Sequence, residues 1–190
     1  MNKLTVATTN AGKIHEVRLA LQELPGWTIE PLPAGIPEIE ESGVTFIENA
    51  TLKATHYSRH VDGLALADDS GLCVKSLGNL PGVWTARYGT TQESRNQWVL
   101  NEMQGKPNRD AAFQCAFVVA QSGSVVWTTE ASLAGQITRE PIGDSGFGFD
   151  PIFFVPELQK TLAQLTSEEK NLWSARGKAL TELKLFLRMA

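Results

Sequence analysis

Residues 3–32 read KLTVATTNAGKIHEVRLALQELPGWTIEPL. The apolar run from Lys3 to Thr8 predicts a buried strand with a short loop after it. Ile14, Val17, Leu21 and Leu24 then recur at helical spacing until Pro25-Gly26 stops the run, and Trp27 to Leu32 reads as a second strand. Strand, loop, helix and strand in this order open an α/β protein.

Outward from this unit the alternation continues. A Pro/Gly/Glu-rich loop runs from Pro33 to Gly43, and Thr45-x-x-Glu48 has the form of a capping box that starts a helix through Ala50, Ala54 and Tyr57 to about His60. Leu64 to Ala67 predicts a short apolar strand that ends at Asp68-Asp69-Ser70-Gly71, with Leu72 to Leu77 extended beyond it. Thr90-x-x-Glu93 marks the next helix start and Gly105-Lys106-Pro107 its end. Ala111 to Ala120 and Ser124 to Glu130 flank Gln121-Ser122-Gly123 as a β-hairpin, with further strands at Leu133 to Thr138 and Ile152 to Val155. Ser167 to the C-terminus reads as helix, interrupted near Gly177. Interleaved helices and strands around a central hairpin imply an α/β fold with a mixed sheet. There is no repeat or linker, so residues 1–190 form one domain, with room for two closely packed lobes.

Composition narrows the class without naming a chemistry. The chain has 190 residues, 42% hydrophobic and 20% charged, which is globular rather than disordered. No stretch approaches the ~20 apolar residues of a membrane span. The N-terminal run turns polar at Thr8, too early for a signal peptide, so a cytoplasmic protein is expected. Cys73 and Cys115 both lie in apolar runs and are expected to be buried free thiols. A net charge of −4 argues against a nucleic-acid polymer as partner, while a single nucleotide needs only a few well-placed cations.

Five stretches can carry chemistry. Thr8-Thr9-Asn10-Ala11-Gly12-Lys13 is a strand-to-helix loop whose N–H groups and positive helix end suit phosphate, although it lacks the Walker spacing and also fits an ordinary turn capped by Asn10. Glu38, Glu40 and Glu41 are oxygen donors in a loop, suited to Mg²⁺ or simply to solvent, and Lys53 lies about one turn past Asn49 on the next helix. Asp68 and Asp69, adjacent after an apolar strand, are costly unless a cation or substrate offsets them. One could hold a metal and the other deprotonate water; a plain β-turn is the alternative. Gly143 to Pro151 is a glycine/aromatic loop in which an aromatic between glycines (Phe147) can stack on a base and Asp150 can bond base or ribose edges, or the phenylalanines can be core of a tight turn. Arg176, near a helix break, offers donors to purine acceptors or is a surface cation. His15, His56 and His60 lack a metal-site pattern and read as surface residues.

The order of these motifs is more specific than any one of them. TTNAGK, EESGVTFIENATLKA (40–54), ADDSG (67–71), LPGVWTARY (80–88), GFGFDPIFF (146–154) and LTSEEKNLWSARG (165–177) together closely resemble the RdgB-type inosine triphosphate pyrophosphatase family, nearly end to end. The resemblance implies an elongated α/β fold of two lobes, with a central mixed sheet flanked by helices, a nucleotide cleft and a homodimer. It implies Mg²⁺-dependent hydrolysis of inosine and xanthosine triphosphates to monophosphate and pyrophosphate, with Mn²⁺ as an alternative metal. Thr8, Thr9, Asn10, Ala11, Gly12, Lys13 and Lys53 would bind triphosphate, Glu41 and Asp69 would hold the metal, and Asp69 would accept the proton. Asp68 would support Asp69 and Ser70 would touch substrate. Phe147, Gly148, Phe149, Asp150, Lys170 and Arg176 would contact base and sugar.

One position departs from the family pattern. The last motif is Ser-His-Arg in the family and Ser174-Ala175-Arg176 here, so a base-contacting imidazole is missing. Trp173 can fill part of that space, although its place on the helix two positions away points it to the core. The departure leaves two further expectations open: relaxed base selection, or a nucleotide binder without turnover.

Overall fold

The computed structural model describes residues 1–190. Its elements in chain order are β1 (Asn2–Val6), α1 (Ala11–Leu21), β2 (Trp27–Pro31), α2 (Phe46–Tyr57), β3 (Leu64–Val74), β4 (Leu80–Pro81), α3 (Gln92–Glu102), β5 (Asp110–Gln121), β6 (Ser124–Ile137), β7 (Phe153–Val155), β8 (Lys160–Thr161), α4 (Ser167–Trp173) and α5 (Ala175–Met189). The sheet is mixed and flanked by helices, in the order β2-β1-β3-β5-β6-β7-β8 with β4 paired to β3. β1 is parallel to both β2 and β3, as a strand–helix–strand opening requires, while β4, β7 and β8 pair antiparallel to their neighbours. No helix is long and apolar enough to cross a membrane.

The chain divides into two compact units. The first comprises Met1–Asp69, Cys115–Ala131 and Arg176–Ala190. Its core is built from Leu4, Val6, Leu21, Leu66, Phe117 and Leu183, all buried. Trp27 belongs to it through an indole N–H that donates 2.9 Å to the carbonyl of Leu187. The second unit comprises Ser70–Gln114 and Ser132–Ala175, with Leu72, Met103, Ile137, Ile152, Phe153 and Leu162 at its centre.

Several boundaries differ from the sequence expectation for identifiable reasons. β3 does not end at Asp68 but runs through Asp68-Asp69-Ser70 to Val74. Its carboxylates therefore lie mid-strand, where charged partners (below) make burial tolerable. The α3 cap is Thr91, bonded reciprocally with Ser94, one residue later than the Thr90/Glu93 pair. Leu133 to Thr138 is not a separate strand but the continuation of β6. The hairpin turn is confirmed: Ser122 and Gly123 both have positive φ, the conformation a two-residue turn between strands demands. The C-terminal helix breaks at Ser174, whose ψ of 156° is extended, and Gly177 lies inside α5. Trp173 is 39% exposed rather than core, and both cysteines are free and buried.

Candidate active site

Two clusters in the first unit start from one property of a strand. Consecutive side chains on β3 point to opposite faces, so Asp68 and Asp69 acquire different neighbours. Asp68 meets α1 and α5: its Oδ2 lies 2.9 Å from Lys13 Nζ and 3.0 Å from Arg176 Nη2. Arg176 Nη1 in turn lies 2.7 Å from Oε2 of Glu16, one turn past Lys13 on α1. Lys13, Asp68, Arg176 and Glu16 thus form a chain of alternating charges, which is what makes three buried members affordable. Burial alone would raise the Asp68 pKa, yet Lys13, Arg176 and Lys53 hold it well below the ordinary carboxylate range. Burial pulls Arg176 down, and the Asp68 and Glu16 carboxylates more than reverse it.

Asp69 faces α2 instead. Asn49 Nδ2 donates to its Oδ2 at 3.1 Å, and Lys53 Nζ lies 3.6 Å from its Oδ1. The Asn49 amide is itself oriented, because its Oδ1 accepts from the Gly43 N–H at 2.8 Å. Lys53, one helical turn beyond Asn49, also reaches Glu41 Oε1 at 3.1 Å. Burial lifts the Asp69 pKa above the ordinary value despite the opposing lysines. Burial lowers Lys53, but Asp69, Asp68 and Glu41 turn the net shift upward. The result is two carboxylates on one strand with opposite acidities: Asp68 fixed as an anion, Asp69 a stronger base.

At the start of α1, Asn10 is the N-cap, accepting from the Lys13 N–H at 3.2 Å, and its own N–H donates to Thr8 Oγ1 at 3.2 Å. Ala11 and Gly12 follow as the first helical residues, with N–H groups that an intrahelical bond does not use. A phosphate oxygen is the natural acceptor for such a helix end. Glu38 and Glu40 are exposed on the neighbouring loop, and only Glu41 of the three glutamates is drawn into an ion pair.

In the second unit the glycine/aromatic loop is organised around Asp150. Its Oδ2 accepts from the Phe147 N–H at 2.7 Å and from Lys170 Nζ at 2.5 Å, and both charged groups are buried. Lys170 Nζ stands 4.2 Å from the centroid of the Phe147 ring. Gly146 has a φ of 75°, and a Cβ there would strike the Asp150 carboxylate, so only glycine closes this turn. The Gly148 N–H donates to the side chain of Gln92 at the start of α3. Phe149 is core, whereas Phe147 is half-buried.

A model of the Ham1 family matches residues 4–186. The chain belongs to the Ham1 family. Among curated relatives, the dITP/XTP pyrophosphatase of Synechocystis is 44% identical over 184 residues, covering 96% of this chain and 94% of that one. The protein of the same name from Bacillus subtilis is 42% identical over 194 residues, 98% of each. The solved structure of a HAM1 protein from Coxiella burnetii superposes with a TM-score of 0.91 at 37% identity over 100% of both chains.

For this Ham1 chain the fold gathers Lys13, Asp68 and Arg176 into one cluster, Glu41, Lys53 and Asp69 into a second, and Phe147, Asp150 and Lys170 into a third. Ser70 follows Asp69 on β3 and is half-buried, and Thr9 is exposed. Three residues the sequence reading missed now stand out. Asn49 orients Asp69, and an asparagine inside a helix one turn before Lys53 was the available signal. Glu16 shares a face of α1 with Lys13 through their spacing of three. Gln92 had no signal, since only tertiary packing brings it to Gly148.

Proposed function

We propose that this chain is a nucleoside triphosphate pyrophosphatase that hydrolyses dITP, ITP and XTP to monophosphate and pyrophosphate. The observation that carries the reading is the split pair on β3, where Asp68 is locked between Lys13 and Arg176 while Asp69 is held by Asn49 and Lys53 beside Glu41. Water attacks the α-phosphorus and its proton passes to Asp69, which Asn49 holds in position. The bond from the α-phosphorus to the bridging oxygen breaks, and pyrophosphate leaves with its charge balanced by Lys13 and Lys53. Thr8, Thr9, Asn10, Ala11 and Gly12 hold phosphate oxygens through helix-end N–H groups and side chains. Asp68 keeps Lys13 in place, and Ser70 contacts substrate.

Glu41 and Asp69 suit a divalent cation. Both already approach one cation, the Lys53 ammonium, and Mg²⁺ normally takes one or two carboxylates plus water and substrate oxygens. When bound, Mg²⁺, or Mn²⁺ in its place, neutralises triphosphate charge and favours pyrophosphate departure. Phe147, Gly148, Phe149, Asp150, Lys170 and Arg176 serve base and sugar recognition. Lys170 also fixes Asp150, and Arg176 also fixes Asp68. A 6-oxo purine presents an acceptor to a cationic donor, whereas adenine presents a donor and leaves that cation unsatisfied. A homodimer and a cytoplasmic location complete the proposal.

Ala175, buried at the start of α5, favours a second reading in which base selection is relaxed. Product analysis with Mg²⁺ and dITP, XTP, dGTP or dATP separates the two. Pyrophosphate from dITP and XTP alone supports the first reading, and pyrophosphate from dGTP as well supports the second. Binding of any triphosphate without turnover would overturn both.

A further inference from the structure

Most of the cations described above are paired with a carboxylate, but one group in the second unit is not. A pocket of about 330 Å³ is lined by Lys106, Arg109 and Arg139 together with Leu100, Met103 and Pro107. None of these three cations forms an ion pair. Arg109 is pinned by the backbone: its Nε donates to the Ile137 carbonyl at 2.5 Å, Nη1 to Met103 O at 3.2 Å, and Nη2 to Thr138 O. It is therefore presented in a fixed orientation at the end of α3 and of β6. Burial and the charge of Arg139 both pull the Arg109 pKa down, so the two guanidiniums repel each other across the pocket. Of the acids adjacent in sequence, Asp110 beside Arg109 is turned to Lys75 at 3.5 Å, and Glu140 beside Arg139 is exposed and forms no ion pair.

A chain of net charge −4 that leaves three cations unbalanced around one concavity has a place for an anion. Guanidinium forks match phosphate oxygens, and an ammonium adds a point charge. Leu100 and Met103 supply an apolar floor, and the volume lies at the small end of ligand pockets. We propose that this pocket is a second, non-catalytic binding site for a small phosphorylated metabolite, with the phosphate on Arg139, Lys106 and Arg109 and an apolar portion against Leu100 and Pro107. None of the residues assigned to hydrolysis lines it.

The test is a titration of ¹⁵N-labelled protein with inorganic phosphate, and separately with phenyl phosphate, followed by amide shifts. Saturable shifts are expected at Gly105 to Arg109 and Ile137 to Arg139, tighter for phenyl phosphate than for phosphate. The Thr8 to Lys13 amides report the catalytic site independently in the same spectra. Arg139→Gln changes an exposed side chain and should weaken binding at the pocket about tenfold through loss of a charge-assisted contact, leaving the Thr8 to Lys13 response and dITP turnover unchanged. Shifts confined to Thr8–Lys13, or pocket shifts that Arg139→Gln leaves intact, would overturn the proposal. Loss of turnover in the native protein would bear on the pyrophosphatase reading alone.

Discussion

At the scale of single residues, the chemistry depends on the difference between Asp68 and Asp69. Asp69→Asn keeps the Asn49 and Lys53 neighbourhood nearly isosteric but removes the base. Single-turnover kinetics with dITP should show a loss of roughly 10²–10⁴-fold, the usual worth of a positioned base, while dITP still binds. Asn49→Ala is a separate test because Asn49 acts through Asp69. Its amide donates to the ionised carboxylate and so lowers the Asp69 pKa. Without it the pKa rises further and a smaller fraction of Asp69 is ionised at a given pH. The acid limb of kcat against pH should therefore move upward, with kcat at its plateau down about tenfold for the lost hydrogen bond. An unmoved limb would mean that Asn49 only packs. The sequence exposed the carboxylate pair and both lysines, but their division of labour rested on the family resemblance and not on spacing. That division follows from Asp68-Asp69 lying inside a strand, which sends the two side chains to opposite faces, whereas an expected turn left them equivalent.

At the scale of elements, periodicity and caps located most helices and strands, because the signals are local. The Thr45/Glu48 capping box starts α2 where expected, and the Gln121–Gly123 turn makes the β5–β6 hairpin. What failed was termination. Nothing in Leu64–Val74 marks a stop, and the acidic pair looked like one until its tertiary partners were known. Likewise Gly177 looked like a breaker, yet the break falls at Ser174, where α4 closes with its N–H donating to Lys170 O at 2.8 Å. The loop from Gly143 to Asp150 is the element whose geometry was least legible, since its shape comes from one buried carboxylate. Gly146→Ala tests that account. A side chain at this φ costs about 1 kcal/mol or more by itself, and the added methyl also meets Asp150. Urea unfolding should show at least that loss. KM for dITP should rise more than kcat falls if the loop binds the base, whereas a loop of purely structural importance would leave KM unchanged in the folded fraction.

For the molecule as a whole, the buried ionisable groups determine how stability responds to pH. Asp68 has a folded pKa below its ordinary 3.8, so its contribution is present above that value and is lost as pH falls through the folded one. Asp69 acts in the opposite sense: burial raises its folded pKa, so its contribution is present below the ordinary 3.8 and fades as pH rises through the folded value. On the alkaline side both thiols contribute, alongside Lys53, whose folded pKa is also raised. Burial raises Cys73 from 9.0 to about 11 and Cys115 from 9.0 to about 12. Both contribute fully below pH 9, and stability falls above it because the unfolded chain releases thiol protons that the fold retains. For Cys115 the full effect is on the order of 4 kcal/mol by pH 12. Cys115→Ala isolates it, since every other titrating group is common to both proteins. At pH 7.5 the variant should be less stable by about 1 kcal/mol, for the packing lost with the sulfur. Between pH 9 and 10.5, in the presence of reductant, urea midpoints for the native protein should fall faster and the gap should close. Parallel curves across that range would mean that Cys115 ionises as readily in the fold as in the unfolded chain, and that the alkaline limit lies elsewhere.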